Sequence, residues 1–265
     1  MEKSLIIIGG GLTGLAAGCY GRMNGYRTSI FEMHNIAGGV CTGWKRKGYT
    51  IDGAMNWLLG TKPGTSYYKF WEELGAAQKW QVHNHDHFIL VEDENGQDFP
   101  IYCDIDRQER QMLELAPEDE TVIREYAKAI KDSTRFDLPV EKPREVYGLV
   151  DIIKTVKMLP FLMFMRRWGK VTAAEYFQKF TNPTLRTIMN MNAEFESMDI
   201  PIIGMMMMLA WQHTKEAGYV IGGALALVSY IQQRYLDLGG ELFFKCKVEK
   251  ILVENDQAVG IRLQD

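Results

Sequence analysis

Leu5-Ile6-Ile7-Ile8-Gly9-Gly10-Gly11-Leu12-Thr13-Gly14 is the stretch that decides the fold. Its apolar run reads as a short strand buried on both faces. Gly9, Gly11 and Gly14 fit the pattern G-x-G-x-x-G. Leu15 to Met23 then read as a helix packed closely through Ala16, Ala17 and Gly18, with Gly25 closing it. Arg27 to Phe31 read as a second strand that ends at Glu32. The first glycine of the pattern makes the tight turn, the second lets backbone approach a pyrophosphate, and the third lets helix and strand touch. The helix start, at Leu12 and Thr13, offers free N–H groups and a partial positive charge to phosphates.

Glycine-rich turns are common, so the pattern alone is weak. Here it follows a strand, opens a helix and is followed, eighteen residues after Gly14, by the acid Glu32. That context predicts dinucleotide binding, with the carboxylate taking ribose hydroxyls. An acid there suits a free 2′-hydroxyl and favours FAD or NAD over NADP.

At 265 residues the chain can bury a substantial core. Its net charge of −4 gives no general attraction to nucleic acid. Cys19, Cys41, Cys103 and Cys246 are widely spaced without a C-x-x-C pair, which predicts reduced thiols in a cytoplasmic protein. The apolar start runs straight into the glycine turn, so it reads as a strand rather than a signal peptide. No stretch reaches the roughly twenty apolar residues of a spanning helix. Met158, Met163, Met165, Met189, Met191 and Met205 to Met208 cluster in one region. They fill a core or, on the alternative reading, line a pliable apolar pocket.

A second glycine pair follows, in Met33-His34-Asn35-Ile36-Ala37-Gly38-Gly39-Val40-Cys41-Thr42-Gly43-Trp44-Lys45-Arg46-Lys47-Gly48-Tyr49, with Asp52-Gly53-Ala54 shortly after. Two glycines there permit another close backbone approach to cofactor phosphates. These residues resemble the FAD-dependent amine-oxidase superfamily, and within it the phytoene-desaturase and retinol-saturase-like branch. The resemblance implies an α/β fold with a Rossmann-like (GR2-type) FAD-binding domain and an inserted, mainly helical substrate or cap region that carries a β-hairpin. It implies FAD contacts from Gly9, Gly11, Leu12, Thr13, Gly14, Glu32, Met33, Gly38, Gly39, Val40, Asp52, Gly53, Ala54 and Val248. Many relatives place Arg where Val40 stands. Lys45 to Lys47 would replace that contact or form a solvated basic loop. Relatives commonly carry Pro where Val220 stands, near the flavin. The domains expected are 1–75 with 215–265 for FAD, and 76–214 for the cap. The resemblance covers the whole chain but only about the first half of such an enzyme, so a truncated chain or natural fragment is expected.

Between these parts, Tyr67 to Leu74 read as an amphipathic helix. Val82 to Val91 and Phe99 to Tyr102, separated by Asn95-Gly96, read as a hairpin. His83, His85 and His87 alternate and would share one strand face, yet the absence of a fourth ligand argues against a metal. Pro117 opens a helix running to about Ser133. Val146 to Trp211 read as helical, with breaks at Pro160, Asn182-Pro183 and Asp199-Ile200-Pro201, and Thr172 with Glu175 fits a capping box. Met158 to Met165, followed by Arg166-Arg167-Trp168, read as a peripheral membrane segment or as a lid over an apolar cavity. Gly218 to Gly223 form another glycine turn before a helix from Ala224 to Leu238. In the resembling family the last fifty residues return to the dinucleotide domain and add a strand to its sheet, with the Val248 segment against the adenosine half.

No catalytic triad or acid/base pair is present, as expected where a flavin carries the chemistry. The expectation is an FAD-dependent oxidoreductase passing hydride between flavin N5 and a hydrophobic, polyene or isoprenoid-like substrate, as a desaturase or saturase. The Met-rich region from about Pro117 to His213 would form half a substrate tunnel, and Asp52 to Trp57 would approach the flavin. The alternatives are an amine oxidase-type flavoenzyme, an inactive FAD-binding fragment or, less favoured, a plain NAD dehydrogenase. Catalytic residues and oligomeric state stay open.

Overall fold

The computed structural model describes residues 3–92, 96–136, 140, 144–146, 148, 158–194 and 200–264. The chain divides into two compact units, Met1–Pro63 with Tyr68–His83 and Tyr219–Asp265, and Gly64–Tyr67 with Asn84–Gly218. The elements begin with β1 (Ser4–Ile8), α1 (Leu12–Met23), β2 (Arg27–Phe31), β3 (Gly43–Arg46), β4 (Tyr49–Asp52), β5 (Leu58–Leu59) and α2 (Ser66–Glu73). Next come β6 (Val82–His83), β7 (His87–Glu92), β8 (Asp98–Tyr102), α3 (Ile105–Leu115), α4 (Glu120–Ser133), α5 (Leu159–Trp168), α6 (Ala173–Phe177), α7 (Pro183–Glu194) and α8 (Ile202–His213). The chain ends with β9 (Ala217–Val220), α9 (Gly223–Asp237), β10 (Glu241–Phe243), β11 (Val248–Glu254) and β12 (Gln257–Leu263).

In the first unit β1, β2 and β10 form a parallel sheet in the order β1-β2-β10. Leu15, Cys19, Ile30, Leu227, Ile231 and Tyr235 fill the core between sheet and helices. Gly18 is where α1 meets α9, since a Cβ there would lie 2.6 Å from the Tyr235 ring. The buried Tyr235 hydroxyl lies 2.9 Å from the Thr28 carbonyl and 3.0 Å from that of Glu241, which ties α9 to both β2 and β10.

Three expectations here need correction. Ala17 is exposed, and α1 packs through Leu15, Gly18, Cys19 and Gly21 instead. β1 is not buried on both faces: Ile6 and Ile8 are about half exposed, at 46% and 50%. The cause is sheet topology. Leu5 and Ile7 lie against α1, while β1 is an edge strand whose other face among the described residues carries no helix. Lys45 to Lys47 are not a loop but part of the β3–β4 hairpin, turned at Lys47 and Gly48, both with positive φ. Positive φ at both central residues matches the right-handed twist of the strands.

β11 and β12 form an antiparallel hairpin around Asn255 and Asp256, again both with positive φ. β10 joins the parallel sheet beside β2, the strand expected from the last fifty residues. Only part of Gly218 to Gly223 is a turn, because β9 pairs with β6 through Val82↔Val220 and His83↔Tyr219. That pairing also splits the expected histidine strand. His83 lies in β6 and His87 in β7, with His85 in the segment between, so they do not share a strand face. The β7–β8 hairpin forms, and Asn95 of its turn lies outside the described residues.

The second unit is mainly helical around an aromatic core of Tyr126, Tyr176, Phe177 and Phe180. Met189, Met205, Met206 and Met208 are buried and fill a core rather than line a pocket. Pro160 sits in the first turn of α5, where its missing N–H costs nothing; residues 149–157 of the expected helical stretch before it lie outside the described residues. Pro183 opens α7 and Pro201 precedes α8, while Asp199 lies outside the described residues. The Thr172–Glu175 capping box is formed in both directions, at 3.1 Å and 2.9 Å. α3 was not foreseen, although its Asp104 cap accepts N–H groups from Asp106 and Arg107.

Among the described residues of this unit, Asp119 is the most heavily bonded carboxylate. It is 3% exposed and accepts hydrogen bonds from the Thr181 N–H (2.8 Å), the Thr181 hydroxyl (2.6 Å) and the Asn182 N–H (2.9 Å). Burial raises its pKa, but these bonds outweigh burial and hold the carboxyl below the usual carboxylate range. A depressed folded-state pKa stabilises above the unfolded value near 3.9 and is lost as pH falls through the folded one. Asp119→Ala is expected to cost about 2–3 kcal/mol in urea unfolding at neutral pH, because three donors lose a charged acceptor. The variant's stability is expected to fall less steeply than the parent's below about pH 4. A loss under about 0.5 kcal/mol would place the latch elsewhere.

Candidate functional site

The glycine turn is built from backbone. Gly9, at φ +97°, donates its N–H to the Phe31 carbonyl at 2.8 Å, closing the turn across the ends of β1 and β2. Gly14 stands where a Cβ would lie 2.0 Å from the Gly9 carbonyl oxygen, so α1 can start there only on a glycine. The second glycine pair folds back on the first: Gly38 donates its N–H to the Gly10 carbonyl at 2.9 Å and forms a parallel bridge with Gly11. A Cβ at Gly39 would lie 3.4 Å from the Gly11 Cα. Two glycine turns far apart in sequence thus make one backbone cradle.

Glu32 lies behind the cradle, 5% exposed. Its Oε2 accepts the Gly10 N–H at 2.6 Å and its Oε1 the His34 N–H at 2.8 Å. The carboxylate therefore clamps the first turn to the loop after β2. Two adjoining cavities open over the cradle and share Ile8, Gly9 and Gly11. One, of about 460 Å³, is walled by Leu12, Thr13, Gly14, Gly38, Val40 and Cys41. The other, of about 310 Å³, is walled by Phe31, Glu32, Met33, His34 and Gly39. α1 has no acid in its first turn and no side chain capping it, so its positive end faces the first cavity uncompensated.

Ten of the expected contact residues are thus gathered at one place. Asp52, Gly53, Ala54 and Val248 do not wall either cavity. Asp52 instead holds backbone. Its Oδ2 accepts the Ala224 N–H of α9's first turn at 2.8 Å, and its Oδ1 accepts from Ala54 and Met55. Gly223 admits it, since a Cβ there would meet Oδ2 at 2.1 Å. Burial, and then Asp52, push the Tyr219 hydroxyl pKa up. Gly53 has its own reason to be glycine, with a Cβ 2.9 Å from the Trp44 ring. Ile8, Phe31, His34 and Cys41 were missed as wall residues; adjacency to the glycines and to Met33 was the available signal.

Residues 7–74 match the family of NAD(P)-binding Rossmann-like domains. The matched residues hold the end of β1, α1, β2, both glycine turns and Glu32, which are the parts that form the cradle. Over 97% of its length the chain is 26% identical to a neurosporene-forming phytoene desaturase of Cereibacter sphaeroides, covering 49% of that protein. It is 22% identical to the chloroplastic prolycopene isomerase of Arabidopsis thaliana, over 98% of this chain and 45% of that one. Among solved structures, an oxidoreductase from Methanosarcina mazei superposes with a TM-score of 0.60 at 17% identity, over the whole chain and 57% of the other. The expected resemblance to the phytoene-desaturase branch is met by these relatives. The chain spans about half the length of the curated relatives it matches.

Proposed function

We propose that this chain carries the FAD-binding cradle of an oxidoreductase acting on a hydrophobic, polyene-type substrate. The observation that carries the reading is the doubled glycine turn over an uncapped helix start, with Glu32 behind it. The backbone N–H groups of Leu12, Thr13 and Gly14 would hold the pyrophosphate in the larger cavity. The adenosine ribose would lie in the smaller one, against Glu32, Met33 and Gly39. Val40, 90% exposed, would cover the cofactor with apolar surface rather than a charge. Asp52, Gly53 and Ala54 would act at one remove, by fixing the start of α9, and Val248 by placing the β11–β12 hairpin. Bound flavin would supply hydride transfer at N5. The polyene class rests on the desaturase and isomerase relatives.

The test is flavin retention by the 265-residue chain. After incubation with FAD and desalting, a visible flavin spectrum near one equivalent is expected, with release by excess ADP. Anaerobic addition of an acyclic polyene is expected to bleach part of that spectrum. A chain that is folded by circular dichroism yet retains no flavin, and whose titration with FAD leaves flavin fluorescence unchanged, defeats the reading.

A further inference from the structure

Among the described residues, four buried side-chain atoms have no hydrogen-bond partner: Gln108 Nε2, Gln111 Oε1, Tyr126 Oη and Gln212 Nε2. All lie on α3, α4 and α8, which pack against one another in the helical unit. Two of them belong to side chains that meet at one place. Gln108 is 2% exposed, and its Oε1 accepts the Tyr102 N–H at 2.7 Å. Gln212 is 5% exposed, and its Oε1 accepts the thiol of Cys103, the next residue, at 3.8 Å. Each leaves its amide nitrogen unpartnered there, which native cores rarely tolerate. The Tyr102 N–H fixes which way the Gln108 amide lies. Turning the Gln212 amide over gains nothing, because its oxygen then becomes the atom without a partner.

Chemistry decides what takes up these groups. Two NH₂ groups call for an acceptor, so a cation does not suit them. An anion does not suit the surroundings. Burial, and then the Asp86 carboxylate, push the Cys103 thiol up to about 12, so the local field already opposes negative charge. A water molecule is neutral and accepts two hydrogen bonds. It can also donate to Gln111 Oε1, one turn along α3 from Gln108. Globular proteins hold about one buried water per 27 residues, each making about three bonds to groups of this kind. The position is a junction of the unit as well. His213 Nδ1 accepts the Ile105 N–H at 3.2 Å, joining the end of α8 to the start of α3 beside the two glutamines.

We propose that a buried water molecule bridges Gln108 and Gln212, accepting from both amides and completing the junction of α3 with α8. This goes beyond the flavin reading and does not depend on it. The test is a high-resolution crystal structure of the 265-residue chain, with thermal melts of the parent and of Gln212→Met. A water oxygen about 2.8–3.2 Å from both Nε2 atoms is expected. Gln212→Met is expected to melt about 2–4 °C below the parent, because the water loses a donor and Gln108 its bridge. An amide that truly lacked a partner would behave in the opposite way, since replacing it by an apolar side chain of similar length removes an unsatisfied donor. A Gln212→Met variant that melts at or above the parent temperature therefore overturns the proposal. So does density in which either amide nitrogen meets a protein acceptor, or in which no water lies between the two.

Discussion

Gly14→Ala is expected to lose about 10- to 100-fold in FAD affinity and to lower the melting temperature of the chain, from the 1–3 kcal/mol that overpacking typically costs. The added methyl would stand 2.0 Å from the Gly9 carbonyl oxygen and 3.2 Å from its carbon. Both are backbone atoms held by the Gly9 N–H bond to Phe31, so no rotamer change relieves the contact. The helix start must withdraw from the strand, and the N–H groups proposed to hold phosphate withdraw with it. Gly25→Ala is the control. Gly25 has φ +79° with nothing within 4 Å of a built Cβ, so alanine there meets only backbone strain of about 1–2 kcal/mol. It should lower stability without changing FAD affinity. Flavin fluorescence titrations and thermal melts on the two variants separate the effects. FAD affinity within threefold of the parent in Gly14→Ala would mean that the phosphates sit elsewhere.

The parts of this fold that were legible share one property, namely that their signals are local. The strand, turn and helix from Leu5 to Met23, the Thr172–Glu175 cap and the β7–β8 hairpin are each specified within a few residues. Where the reading failed, distant partners decide the outcome. Ile6 and Ile8 resemble a doubly buried strand, but what covers a sheet face depends on neighbours absent from the local sequence. Val82 to His87 alternates like one strand, yet its first two residues pair with Tyr219 and Val220. At the site, the motifs located both glycine turns but not that they touch. They marked Glu32 and Asp52 as acids near a cofactor, without showing that each already accepts backbone N–H bonds. Motif spacing gives the position of a carboxylate and says nothing of its other partners.

Glu32 supplies the second large effect. Both of its oxygens accept backbone N–H groups, from Gly10 at 2.6 Å and His34 at 2.8 Å, while only 5% of the residue meets water. Glutamine has one oxygen, so its amide nitrogen would face one of those N–H donors with nothing to accept. An unsatisfied buried donor costs about 1–3 kcal/mol, more where the lost partner was charged. Glu32→Gln is therefore expected to weaken FAD binding about 10- to 100-fold and to lower the melting temperature, nearly as much as Glu32→Ala. A carboxylate that served only to accept ribose hydroxyls would behave differently. Glutamine could still accept from one hydroxyl, binding would fall only a few-fold, and the melting temperature would stay unchanged because no protein bond was lost. Equal losses in both variants, in affinity and in stability together, identify Glu32 as the clamp that shapes the cradle from behind. An unaltered melting temperature in Glu32→Gln would remove that role and leave direct ribose recognition as the reason for an acid at the end of β2.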